Sequence, residues 1–202
     1  EYDNIISNNP DFYFLERSSI GANPSNQFQK YSHHKPMTSL NNAFSFLDVS
    51  EFIEKIYKFL SLNKDFKLDL ICEPKIDGLS ISLLYLNGSL VNAVTRGDGT
   101  IGEIVTENIK TIKDIPINLN KPFPKFIEIR GEIFMKKNNF DSLNKIQIEN
   151  GKKIFANTRN ASAGSIRQKN SNITKQRNLN FFAFTIGESS TDFKFKTQNE
   201  LL

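Results

Sequence analysis

The sequence predicts an α+β fold with antiparallel sheets and flanking helices, and two patterns carry that prediction. Two β-rich runs flank Asn87-Gly88 in "LSISLLYLNGSLVNAVTRGDG", and Asn-Gly suits the positive φ values that a two-residue hairpin turn demands. Helix-period and strand-period segments then follow one another without regular βαβ alternation, which points away from a parallel sheet.

Taken in order, Asn8 to Ser32 is rich in Asn, Ser, Pro and Gly and reads as loop and linker. "DVSEFIEKIYKFLSLNK" predicts an amphipathic helix. Asp48 and Glu51 form its expected capping box, and Phe52, Ile53, Ile56, Phe59 and Leu60 form a stripe expected to pack on a core. In the hairpin, a two-residue loop pairs Leu86 with Ser89. Counting outward then pairs Leu79 with Arg96, which brings "RGDG" back beside "KIDG". "GEIVTENIKTI" predicts a short helix. "KFIEIRGEIFM" predicts a strand with Ile127, Ile129, Ile133 and Met135 on one face and Glu128, Arg130, Glu132 and Phe134 on the other. A helix over Lys137 to Asn150 and a strand at "LNFFAFTI" complete the expected elements.

The composition narrows the class. With 202 residues, 38% hydrophobic and 24% charged, the chain supports one sizeable domain or one domain plus part of another. The net charge of +4 gives a small preference for anionic partners. The single cysteine, Cys72, excludes an internal disulfide and a Cys-cluster zinc site. No apolar stretch is long enough to cross a bilayer, and the first thirty residues show no secretory signal, so a cytoplasmic location is expected. The sequons at Asn87, Asn160 and Asn172 and the RGD within "RGDG" are then chance matches. His33-His34 lacks further spaced ligands for a metal. Neither a Walker-type nor a Rossmann-type glycine loop is present.

The stretch "CEPKIDGLS" sets a lysine between acids. A lysine attacks only as the neutral amine, so its surroundings must favour loss of a proton. Pro74 biases Glu73 toward extended backbone, and alternation then places Glu73, Lys75 and Asp77 on one face with Gly78 opening the turn. Taken alone, the motif favours a solvated surface lysine before a turn, and its companions argue for the nucleophile. Arg96, returned by the hairpin, can hold a phosphate near it. Glu132 reads either as part of a solvated strand edge or as an acid that accepts hydrogen bonds from ribose hydroxyls. In "FANTRNASAGSIRQKN" the small run Ala161 to Ser165 lies between Arg159 and Arg167, which suits either close approach to phosphates or a basic helix face. Phe182 and Phe184 share a face by alternation and serve either the core or base stacking.

Together these motifs resemble the adenylation domain of bacterial NAD-dependent DNA ligases. The matching stretches are "PMTSLNNAFS", "CEPKIDGLSISLLYLNGSLVNAVTRGDGTIGE", "TENIKTI", "EIRGEIFM", "FANTRNASAGSIRQ" and "FFAF", in family order over most of residues 31 to 187. The resemblance implies a nucleotidyltransferase (ATP-grasp-like) fold truncated at both ends. Residues 1–30 would be a remnant of the nicotinamide-mononucleotide-binding subdomain and linker, and 31–202 the N-terminal part of the adenylation domain. It implies that Lys75 attacks the adenylyl phosphorus of NAD, assisted by Asp77. Glu73 would contact adenine, Arg96 the ribose-phosphate region, Glu132 the ribose, Ser39 and Leu40 the cofactor, and Phe184 the adenine face. Tyr2 and Asp3 match the last positions of the mononucleotide-binding subdomain, while Arg159 and Arg167 match arginines that engage the nick. Mg²⁺ is implied as the divalent ion, without a dedicated ligand set. The implied partners are NAD and nicked double-stranded DNA, acting on a monomer in the bacterial cytosol at the nucleoid.

The family pattern is not matched throughout. Thr158 stands in place of a proline, Ile104 in place of an acid, and Asn41 in place of an aspartate. The family's later lysine-bearing strands and its OB-fold, zinc, helix-hairpin-helix and BRCT regions have no counterpart here. Two other readings remain at this point. One is an ATP-dependent ligase or capping-type nucleotidyltransferase; the other is a non-catalytic nucleotide- or nucleic-acid-binding remnant.

Overall fold

The structure, a computed structural model, describes residues 28–190, 193 and 195–201. Tyr2 and Asp3 lie outside the described residues. The chain divides into two units, one of residues up to Met37 together with Lys75 onward, the other Thr38–Pro74.

The larger unit is built on a four-stranded sheet in the order β3-β2-β5-β6, with β2 Leu79–Leu86, β3 Ser89–Thr95, β5 Phe126–Phe134 and β6 Asn180–Ser189. Every neighbouring pair is antiparallel. The expected mixed α+β architecture with antiparallel sheets and helices is thus what the chain adopts. Alternation along β2 and β5 sends Ile81, Leu83, Tyr85, Ile127 and Ile133 into one core. Ile109 of helix α2 (Thr106–Ile109), Leu143 of α3 (Lys137–Glu149) and Ala161 and Ile166 of α4 (Thr158–Ile166) join the same core. Full burial of side chains such as Ile81 and Ile133, both 0% exposed, contributes roughly 1.5–3 kcal/mol each. Two short helices, α5 (Ser171–Lys175) and α6 (Gln198–Leu201), complete the unit.

The hairpin turns at Asn87 and Gly88, whose φ values are 49° and 80°. Leu86 pairs with Ser89 as expected, but the register shifts at Leu84/Tyr85, where Leu90 and Asn92 are paired and Val91 is the extra residue. This bulge corrects the outer pairing. Ile81 meets Thr95, and the Arg96 amide donates to the Ser80 carbonyl at 3.1 Å. Arg96 therefore stands opposite Ser80 and not Leu79. Ser80 is on the face that carries Glu132, so the inserted residue decides which face Arg96 joins.

Two elements differ from expectation near the N-terminus of the unit. Lys30–Ser32, expected as loop, is a strand (β1) paired antiparallel with β4 (Ile101–Glu103). The run expected as one helix from Gly102 starts as that strand and turns helical only at Thr106. Asp98 shapes the preceding loop, its Oδ1 accepting from the Thr100 amide and hydroxyl and from the Ile101 amide, each at 2.8 Å.

In the Thr38–Pro74 unit, α1 spans Phe46–Phe59. Its cap is Ser45, not Asp48. The Asp48 amide donates to Ser45 Oγ at 3.2 Å and the Ser45 amide to Asp48 Oδ2 at 2.9 Å, so Asp48 is the third helical residue of the capping box. The Phe44 amide, which donates to Asp48 Oδ2 at 2.7 Å, and then the bonds to Ser45 hold the exposed Asp48 carboxyl below its ordinary range. The apolar stripe does not pack on a core as expected. No residue of the helix is buried, and Phe52, Phe59 and Leu60 are exposed. A segment this short cannot enclose a helix by itself.

Candidate active site

The site grows from the point where the chain enters β2. Gly78 is buried against β5, so close that an added Cβ would meet the Ile133 carbonyl. Only glycine permits that approach, which seats the "KIDG" backbone on the strand that carries Glu132. The Gly78 amide donates to Glu132 Oε1 at 3.1 Å, and Ser80 Oγ donates to Glu132 Oε2 at 2.7 Å. Both oxygens of this acid, 9% exposed, thus hold the entry of β2. Burial pushes its carboxyl above the ordinary 4.5, while the Ser80 and Gly78 bonds and the positive charges of Arg159 and Lys75 pull it back.

Lys75 and Asp77 are themselves exposed. Arg159, near the start of α4, comes within 3.6 Å of Asp77 Oδ1. With both side chains mostly solvated, that pair adds little stability. Its importance is positional. It brings a cation and an acid together near Glu132, on which the charges of Arg159 and Lys75 both act. The Asn157 side chain accepts from the Asn160 amide at 2.8 Å, capping α4 and fixing where Arg159 leaves the helix.

The strand that reads as a possible solvated edge is interior. It lies between β2 and β6, and Glu128 and Arg130 are 4% and 8% exposed. Arg167, expected at the nick, donates from Nε to Glu103 Oε2 at 2.6 Å. Glu103, completely buried, was not singled out from sequence; the acidic residue of a short Gly-Glu run gives no signal that a distant arginine will meet it. Ser80 was missed for the same reason, since only the β2–β5 register sets it opposite Glu132.

The other candidates fall as follows. Arg96 is half-buried opposite Ser80. Phe184 is half-buried at a second bulge, between Ala183 and Thr185, so the simple alternation that pairs it with Phe182 is interrupted. Phe182 itself stands opposite Glu132. Ser39, Leu40 and Glu73 belong to the Thr38–Pro74 unit, where all three are exposed. Among the described residues no group of three or more His, Cys, Asp or Glu side chains is arranged to hold a metal ion. No described helix is long and apolar enough to cross a membrane.

An exposed lysine, an acid gripping the turn behind it and an arginine beside its neighbouring aspartate define a polar centre suited to a phosphate ester. Residues 25–202 match the family model of the NAD-dependent DNA ligase adenylation domain, and the chain belongs to that family. It is 53% identical over 183 residues to the DNA ligase of Bartonella tribocorum, covering 91% of this chain and 25% of that protein. With the DNA ligase of Nitrobacter hamburgensis the identity is 49% over 201 residues, 99% of this chain and 27% of the relative. With that of Rickettsia canadensis it is 45% over 211 residues, all of this chain and 30% of the relative. The chain spans about a quarter of the length of the curated relatives it matches.

Proposed function

We propose that this chain carries the adenylate-accepting centre of an NAD-dependent DNA ligase on a nucleotidyltransferase fold, with Lys75 as nucleophile. The observation that carries the reading is the grip of Glu132 on Gly78 and Ser80, which sets the Lys75 segment beside a buried acid and Arg159. The neutral Nζ of Lys75 attacks the adenylyl phosphorus of NAD, with Asp77 orienting the amine. A P–N bond forms, the bridging P–O bond breaks, and nicotinamide mononucleotide leaves with the oxygen and its electron pair. The proton lost from the amine passes to solvent. AMP then moves from Lys75 to the 5′-phosphate of a nick, and the 3′-hydroxyl displaces it to seal the strand.

In this reading Glu132 orients the ribose, Arg96 the ribose-phosphate, Glu73 and Phe184 the adenine, and Ser39 and Leu40 line the cofactor. Tyr2 and Asp3 serve the nicotinamide half, with residues 1–30 a mononucleotide-binding remnant and linker and 31–202 adenylation domain. Arg159 and Arg167 engage DNA, Arg159 by exchanging its exposed carboxylate partner Asp77 for a phosphate and Arg167 while its Nε stays on Glu103. Mg²⁺, implied by the family, has no ligand set of its own among the described residues. The protein acts as a monomer in the cytosol at the nucleoid.

Incubation with NAD and Mg²⁺, followed by intact-protein mass spectrometry, is expected to add one AMP, slowly and in low yield. Lys75→Ala is expected to abolish the adduct entirely. An adduct that survives Lys75→Ala overturns the assignment, and one formed from ATP but not NAD favours an ATP-dependent nucleotidyltransferase. Sealing of a nicked duplex is not expected from this chain alone.

A further inference from the structure

Ser82, Glu128 and Arg130 form a buried polar cluster that the lysine chemistry leaves unused. Arg130 Nε donates to Glu128 Oε1 at 2.7 Å, and Ser82 Oγ donates to the same oxygen at 2.7 Å. The remaining donors of Arg130 leave the sheet. Its Nη1 donates to the Pro36 carbonyl at 3.0 Å and its Nη2 to the Lys35 carbonyl at 2.6 Å. A buried ion pair on an interior strand gains little stability over apolar residues of similar volume, because desolvation offsets the attraction. The directed use of the guanidinium therefore calls for another explanation.

The strap that Arg130 holds is fastened at other points as well. The His33 amide donates to the Thr100 carbonyl and the Met37 amide to the Gly99 carbonyl, both at 2.8 Å. Met37 is buried, and Gly99 has a φ of 98°, with the Met37 carbonyl close enough to crowd any added Cβ. Directly beyond Met37 the chain enters the Thr38–Pro74 unit and reaches Ser39 and Leu40.

We propose that Arg130 is a positioning residue. Oriented by Glu128 and Ser82, it pins the Lys35–Met37 strap and thereby fixes the point from which Ser39 and Leu40 are presented to the nucleotide. The planar guanidinium suits this role because it directs separate donors to a carboxylate and two carbonyls at once, which a single ammonium cannot reproduce in the same geometry. The pin stands on the hydrogen bonds alone. Its effect on the nucleotide rests on the proposed function, through Ser39 and Leu40.

The two parts are separable by experiment. Cys72 is the only cysteine and is exposed, so Cys72→Ser with Thr38→Cys allows a nitroxide to be attached at an exposed position next to the strap. The expected spectrum is immobilised with Arg130 present and predominantly mobile in Arg130→Lys. Should Arg130→Lys not fold, the paired change Arg130→Met with Glu128→Met removes both charges together and is expected to free the label equally. An immobilised label in a folded variant lacking Arg130 overturns the pin. In lysyl-AMP formation, Arg130→Lys is expected to raise the NAD concentration for half-maximal rate about tenfold while leaving the maximal rate within about twofold, since a misplaced binding segment weakens capture more than it alters the attacking amine. A freed label with unchanged NAD dependence supports the pin and overturns its link to the nucleotide. Absence of lysyl-AMP even with Arg130 intact defeats the proposed function instead, and the nitroxide still decides the pin.

Discussion

The two ends of β5 treat a buried carboxylate in opposite ways. At one end Glu128 meets the guanidinium of Arg130 directly, and Ser82 completes its bonding. At the other, Glu132 receives only neutral donors, the Gly78 amide and the Ser80 hydroxyl, with Lys75 and Arg159 acting on it through their charge. Glu103 follows the first pattern, buried completely against Arg167. A carboxylate matched by its own arginine is committed to holding structure. One held by neutral donors, with cations acting only through their charge, has no ion partner of its own to offset its burial. Burial accordingly dominates at Glu132 and raises its carboxyl.

That contrast makes ordered predictions. Removing a cation from the committed type has the largest expected cost. Arg167→Met takes the arginine from a fully buried carboxylate and is expected to lose about 3–5 kcal/mol in urea unfolding. Glu103→Gln added to it is expected to restore most of the loss; failure to do so would mean that Arg167 contributes by packing and not by charge. A smaller effect separates the two ends of β5. Ser80→Ala removes one of two donors to Glu132 and is expected to cost about 1–2 kcal/mol. Ser82→Ala leaves Glu128 with its arginine and is expected to cost less in the same measurement, and an equal or larger cost would erase the distinction.

The smallest effect is a slope. The folded Glu132 carboxyl binds its proton more tightly than its ordinary value of 4.5. Its contribution to stability is therefore fullest at acid pH and is lost as pH rises through the folded value. Glu132→Gln does not titrate, so the melting temperature of this variant minus that of the parent is expected to increase between pH 4 and pH 7. A difference that falls over that interval would mean that the Ser80 and Gly78 bonds and the nearby cations outweigh burial.

Much of the architecture was legible because it is local. Asn87-Gly88 marks its turn through backbone sterics, Lys137 to Asn150 shows its helical period, and the six ordered motifs point to the family whose model the chain matches. Arg96 was traced to the neighbourhood of "KIDG" by counting from the turn, but to the wrong partner. Val91 looks like any β-branched strand residue, and nothing in the run signals that it is the one left unpaired. The cap of α1 was misread for a related reason. Asp48 is both a good cap and a good third helical residue, and only the Ser45 bond distinguishes them. The charges of β5 were ambiguous because an edge strand and an interior strand share the same alternation; the pairing of β6 on its far side resolves it.

By itself the sequence determined the strand and helix periods, the Asn-Gly turn and the family. Each of these follows from local backbone preference or from residues that stand close together along the chain. The tertiary structure alone decided that Ser80 faces Glu132, that Arg167 neutralises Glu103 and that Arg130 reaches the strap at Lys35 and Pro36. Those pairings depend on strand register and on burial. A single bulge changes register, and burial turns an ordinary charged side chain into one that must find a partner far away in sequence.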